Sequence, residues 1–189
     1  MPPLVIPRGT GDGAGFIRFK PTENAWLTSG PDGIEEFEWT SPVVIDIENV
    51  ETGWLLLASG VRDWLPCADR ANPDEKPEGD YKFGVCVKFF GPKLWGEDNP
   101  IRELCTSTVG VVQFVENLFS IAEAKFKDGV PVVQIEGAKA IKIGKGSTRV
   151  PEFTIKKFVK RPEALLNGLD VGKKEQQKPT EPDDEDIEF

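Results

Sequence analysis

The sequence predicts a mainly β domain: a small five-stranded Greek-key barrel with one inserted α-helix, followed by a disordered acidic C-terminal tail. Three observations lead there. β-branched and apolar runs recur between turn signals from Pro42 onward, the segment Tyr81 to Phe90 alternates cleanly, and helical periodicity is concentrated in one window after Thr106. A chain of 189 residues suits one domain with appendages and is long enough to bury a core. The expected divisions are a flexible N-terminal arm over 1–15, the barrel domain over 16–165, and a linker with the acidic tail over 166–189.

The opening "MPPLVIPRGTGDGAG" is too rich in Pro and Gly for a helix or central strand and reads as an irregular lead-in. Phe16 to Phe19 is a short first strand, and Pro21 to Ser41 is a turn-rich acidic interval containing Trp26, Phe37 and Trp39. Next, "VVIDIENV" and "GWLLLAS" suit paired strands, because apolar runs are separated there by a few polar residues. Pro66 to Asp80, with three prolines and many charges, reads as a long exposed excursion. In Tyr81 to Phe90 the alternation puts Phe83, Val85, Val87 and Phe89 on a core face, and Lys82, Gly84, Cys86, Lys88 and Phe90 on a wet one. Ile101 to Cys105 is a further strand.

Thr106, Ser107 and Thr108 offer N-cap side chains to a helix whose apolar positions are Val112, Val115, Leu118, Phe119, Ala122 and Phe126, ended by Asp128 and Gly129. Val130 to Ile143 and Phe153 to Val159 are the last strands, joined by the loop "GKGSTR", Gly144 to Arg149. The resulting order β-β-β-β-α-β-β fits a small closed barrel, of which the oligonucleotide-binding barrel is the commonest; a β-sandwich with an inserted helix fits the same order nearly as well.

Charge is unevenly laid out. The net charge of −9 hides a 21–80 segment with three basic and fourteen acidic residues, and an 81–161 segment with fourteen basic and eight acidic. The last eleven residues, Pro179 to Phe189, hold six acidic side chains, no basic one, and the apolar pair Ile187 and Phe189. Like charges packed this densely cannot bury enough apolar surface to offset ordering entropy, so the segment is expected to be disordered and solvated. Three widely separated cysteines and no histidine argue against a disulfide scaffold and structural zinc. No secretory leader or membrane-length apolar run is visible, which gives the expectation of a soluble, cytoplasmic protein.

The basic half interleaves cations with flat rings. Lys82, Lys88, Lys93, Lys139, Lys142, Lys145, Arg149, Lys156 and Lys160 are candidate phosphate contacts, and Phe90 and Trp95 candidate stacking platforms. Stacking on a single strand contributes about 1 to 3 kcal/mol per base without regard to sequence, and the cations follow the backbone. The alternative for these residues is that the rings fill the barrel and the lysines solvate its outside. Which of Trp54, Trp64, Phe90 and Trp95 stack is open from sequence.

"GTGDGAG" has no preceding strand or following helix, so it is no dinucleotide fingerprint, and "GKGS" lacks the spacing of a Walker loop. Histidine-based triads and ligands are excluded. "PDEK" and "EAK" resemble fragments of a metal-dependent nuclease site but lie on a loop and a helix rather than on neighbouring strands. No metal, cofactor or catalytic residue is assigned.

The ending "DDEDIEF" resembles the tail of single-stranded DNA-binding proteins, and Val130 to Leu165 looks like phage-encoded members of that class, whose fold is an oligonucleotide-binding barrel. Matched by position, Asp183, Asp184, Glu185 and Asp186 supply the acidic run, Ile187 the apolar neighbour and Phe189 the terminal anchor. Glu188 departs from the bacterial pattern, which has proline there. The resemblance implies a barrel that coats single-stranded DNA during replication or recombination, and a tail that recruits a polymerase, helicase or recombinase. It implies a host cytoplasm if the chain is phage-encoded, and is compatible with a homo-oligomer. The rival expectations are a metal-dependent nuclease, and an adaptor whose tail keeps it in solution.

Overall fold

The structure, a computed structural model, describes residues 15–58 and 61–170, with side chains to 166. Apart from Gly15, the expected N-terminal arm lies outside the described residues, and so does the acidic tail. The protein is mainly β. Its strands are β1 Gly15–Lys20, β2 Ala25–Gly30, β3 Gly33–Phe37, β4 Val43–Ile45, β5 Glu51–Ala58, β6 Val61–Pro66, β7 Lys82–Phe90, β8 Ile101–Thr106, β9 Val130–Ile143 and β10 Gly146–Val159. The helices are α1 Pro92–Trp95, α2 Val109–Ala122 and α3 Glu163–Asp170.

These strands make one curled sheet in the order β10-β9-β4-β7-β8-β1-β2-β3, with β5 branching from β7 and β6 paired to β5. "VVIDIENV" and "GWLLLAS", expected to pair with each other, instead follow one another along β7. Val44 and Ile45 pair with Phe90 and Phe89, then Glu51 to Leu55 pair with Cys86 to Lys82. Between them a 3₁₀ turn, Ile47–Asn49, breaks the strand. The break serves Asp46, which is 3% exposed: its carboxylate accepts Asn49 Nδ2 at 3.1 Å and Arg161 Nε at 3.0 Å. A buried carboxylate left without such donors would be costly.

The turn-rich interval Pro21 to Ser41 is in fact a hairpin. Gly30 pairs with Gly33 across the two-residue turn Pro31-Asp32, and Gly33 takes φ +124°, open to glycine. Turn residues and charge dominate its composition, but Trp26, Leu27 and Thr28 are buried. Trp39 gathers Trp26, Phe37, Trp95 and Phe89 around it, with ring centroids 4.9 to 6.1 Å away. β6 forms over residues where local patterning predicts no strand.

α2 covers the core face of the sheet. Its buried stripe is Val111, Phe114, Val115, Leu118 and Ala122, against Ile45, Ile47, Val85, Val87, Phe89, Leu104, Val133 and Ile135. Val112, Phe119 and Phe126, expected in that stripe, lie at its margin, and the helix passes into a 3₁₀ turn, Glu123–Asp128, before Gly129. Full burial of one such apolar side chain is worth about 1.5 to 3 kcal/mol. Gly110 lets the helix touch β10, because a Cβ there would lie 2.1 Å from the Arg149 carbonyl oxygen.

The face of β7 expected to be wet is covered over most of its length. Gly84 and Cys86 are buried, Lys88 and Phe90 half-buried, and only Lys82 is exposed. Phe90 joins Val44, Ile101, Val130, Val132 and Val159 in a second apolar layer under Leu165 of α3. Conversely Phe83, placed on the core face by alternation, is 37% exposed, because β8 pairs with β7 only from Val85 onward.

The excursion after Pro66 carries no long element but is held down. Trp54 Nε1 donates to the Asp74 carbonyl at 3.0 Å, Arg70 Nη1 donates to the Glu48 carbonyl at 2.6 Å, and the Arg70 guanidinium lies 4.8 Å over the Phe119 ring. Tyr81 donates its hydroxyl to Asp63. No helix among the described residues is long and apolar enough to cross a membrane.

Candidate nucleic-acid interface

β9 and β10 form an antiparallel ribbon of 14 residues each, about 46 Å at the usual rise. The expected six-residue loop "GKGSTR" contracts to the two-residue turn Gly144-Lys145, since Gly146, Ser147, Thr148 and Arg149 already pair with Ile143 to Ala140. Gly144 supplies the positive φ, +55°, that a Gly-first two-residue hairpin turn uses.

Lys139, Lys142 and Lys145 are exposed in the distal half of this ribbon. Among the described residues, no hydrogen bond or ion pair engages their ammonium groups. Strand alternation sets Lys139 on the face of Ile141 and Ile143, and Lys142 on the opposite one. Three cations on one narrow ribbon make its distal half positive, while the exposed Glu136 and Glu152 lie nearer its base, Glu152 pairing with Gly137.

The other sequence candidates are scattered. Lys156 is exposed at a β-bulge, where Ile155 pairs with Val133 and Lys157 already with Val132. Lys160 lines an open cleft of about 310 Å³ beside Arg161, Lys127 and Asp128, and Arg161 is itself paired with Asp46 and Glu48. Lys82 and Lys93 are exposed at the start of β7 and on α1, while Lys88 stands directly across from Glu103 on β8. Arg149 is committed to packing: Nη1 donates to the carbonyls of Pro21 at 2.6 Å and Thr22 at 3.4 Å.

Neither aromatic candidate stands free. Phe90 lies in the second apolar layer, and Trp95 packs against Phe37 and Trp39 with the Arg102 guanidinium 5.3 Å over its ring. The tail residues Asp183 to Asp186, Ile187 and Phe189 lie outside the described residues.

The structure brings forward a different aromatic pair. Trp54 of β5 and Phe83 of β7 are direct cross-strand neighbours, edge to face at 5.4 Å, and both retain exposed surface. Leu65, 39% exposed, stands opposite Trp54 on β6. At the far end of this hairpin Leu57 and Val61 are 66% and 55% exposed. The signal for this surface was present in "GWLLLAS", whose apolar residues continue on both faces of the strand although Leu55 alone is deeply buried.

Among the described residues, no three of Cys, Asp and Glu gather as a group that could hold a metal ion. Compared with protein-family models, with curated proteins and with solved structures, the chain matches none.

Proposed function

We propose that this chain is a non-enzymatic, sequence-tolerant single-stranded DNA-binding protein of phage type, built on an oligonucleotide-binding barrel that is open on one side. The observation that carries the reading is the path β10-β9-β4-β7-β8 with α2 between β8 and β9. Numbered in chain order, β4, β7 and β8 are successive neighbours, β9 returns to lie beside β4, and β10 hairpins onto β9. That is the order of a Greek key extended by one strand, with the helix between its third and fourth strands. No ladder joins β8 to β10 among the described residues; β1 pairs with β8 there instead, and Arg149 of β10 reaches the β1–β2 turn.

In such barrels the face of the second and third strands, and the connections from first to second and from fourth to fifth, receive the oligonucleotide. The corresponding parts here hold Trp54 and Phe83 on one side and Lys139, Lys142 and Lys145 on the other. Trp54 and Phe83 offer flat surface to bases, and the three lysines offer charge to phosphates. The acidic tail, through Asp183 to Asp186, Ile187 and Phe189, recruits replication or recombination enzymes. It also competes with DNA for the basic ribbon at low salt.

A second reading, an adaptor, is favoured by the exposure of Leu57 and Val61, which suits a protein partner. Mobility shifts with single-stranded and duplex oligonucleotides of equal length, in magnesium, separate the readings. Retardation of the single strand alone, with its length unchanged, is expected. Cleavage would replace the reading with the nuclease, and no shift of either DNA would replace it with the adaptor.

A further inference from the structure

Cys86 on β7 and Cys105 on β8 are direct partners across an antiparallel ladder. Such partners hold their Cα atoms about 4.5 or 5.5 Å apart, and both values fall inside the window of about 4.4 to 6.8 Å that a disulfide spans. The pair is asymmetric. Cys86 is 7% exposed, whereas Cys105 keeps partial access to solvent. Arg62 reaches this place from β6, with Nη2 2.9 Å from Glu103 Oε1 on the same strand as Cys105.

We propose that Cys86 and Cys105 are an oxidisable dithiol that hydrogen peroxide closes to a cross-strand disulfide, with Cys105 as the attacking sulfur and Cys86 as the resolving one. The proposal is independent of DNA binding. Electrostatics assign the two roles. A hydrogen bond from Cys86 holds the Cys105 thiol below its ordinary range, burial opposes this, and a hydrogen bond from Arg62 adds to it. The Cys86 thiol is pushed up, first by its hydrogen bond to Cys105 and then by burial. The thiolate is the nucleophilic form, so attack belongs to Cys105.

The chemistry balances in two steps. The Cys105 thiolate attacks one peroxide oxygen: the S–O bond forms, the O–O bond breaks, and the departing hydroxide takes a proton to become water. Cys86 then attacks the sulfenic sulfur of Cys105. The S–S bond forms, the S–O bond breaks, and the leaving hydroxide takes the Cys86 proton as a second water. Two sulfurs lose two electrons in total, and the two peroxide oxygens gain them.

Cys67, the third cysteine, is an internal reference. It lies in the loop after β6, and its sulfur accepts a long contact of 3.4 Å from the Asp74 amide. The test exposes the full-length reduced protein to hydrogen peroxide, quenches it, counts free thiols after denaturation and maps disulfide-linked peptides by mass. The expected result is a fall from three thiols to one and a mass loss of two hydrogens, with the linked peptides containing Cys86 and Cys105. In Cys86→Ser, Cys105 should accumulate as a sulfenic acid that a cyclic dione traps; in Cys105→Ser, the Cys86 thiol should survive the same exposure. A wild-type chain that keeps both thiols while Cys67 oxidises would overturn the proposal, as would a linkage that includes Cys67. The wild-type measurement decides the matter even if a variant fails to fold.

Discussion

Arg149 on β10 donates from Nη1 to the carbonyl of Pro21 at 2.6 Å, joining residues 128 positions apart and tying the last strand of the sheet to the β1–β2 turn. The contact lies where a closed barrel would have its final ladder, and it takes up the one arginine among the charges proposed from sequence as phosphate contacts.

Arg149→Ala should therefore destabilise the fold more than it weakens DNA binding. Hydrogen bonds from a charged donor are worth about 1.5 to 3 kcal/mol, and this one is only partly buried, so a loss of about 1 to 2 kcal/mol is expected. Urea denaturation reads it as a lower midpoint at unchanged slope, while affinity for single-stranded DNA should stay within about twofold, since an affinity change that small is well under 1 kcal/mol.

Gly110→Ala is a sharper test of how α2 meets the sheet. A Cβ would stand 2.1 Å from the Arg149 carbonyl oxygen, a backbone atom that cannot swing aside, so helix and strand must separate. Overpacking of this kind costs about 1 to 3 kcal/mol. Thermal unfolding should show the loss although alanine is the better helix former.

The basic ribbon makes a salt-dependence prediction. Replacing Lys139, Lys142 and Lys145 together by alanine removes up to three phosphate contacts. At about 0.7 in log–log slope per single-strand phosphate, the salt dependence of binding should flatten by about 2. Stability should be untouched, because these ammonium groups make no hydrogen bond or ion pair among the described residues. An unchanged slope would remove the ribbon from the interface.

Trp54→Ala and Phe83→Ala should act differently. Loss of one stacked base costs about 1 to 3 kcal/mol, a fall of roughly 5- to 150-fold in affinity, and the slope against salt should stay as it was. Phe90→Leu, in the second apolar layer, should lower stability and leave affinity nearly unchanged.

Much of the architecture is legible in the residues, and each failure has a physical cause. The ribbon strand Val130–Ile143, the alternating β7 and the single long helix follow from local periodicity, so they appear where the pattern places them. The hairpin over residues 25–37 and strand β6 are hidden although each pairs with a neighbour in sequence, because glycine, proline and charged residues interrupt their apolar pattern. Exposure misleads for another reason. Phe83 obeys the alternation of β7 yet lies beyond the reach of β8, whereas Phe90 falls on the nominally wet face and is covered by Leu165 of α3. Which ring is free depends on what another segment covers, and no spacing within one strand records that.

Quenching of the five tryptophans, followed as the full-length protein is titrated with single-stranded and duplex oligonucleotides across a salt series, separates a single-strand binder from its rivals. Such a binder should show quenching by the single strand, a much weaker response to duplex, affinity that falls steeply with salt, and loss of most of the quenching in Trp54→Ala. Equal affinity for duplex, or quenching that survives in Trp54→Ala together with full affinity, would rule that role out.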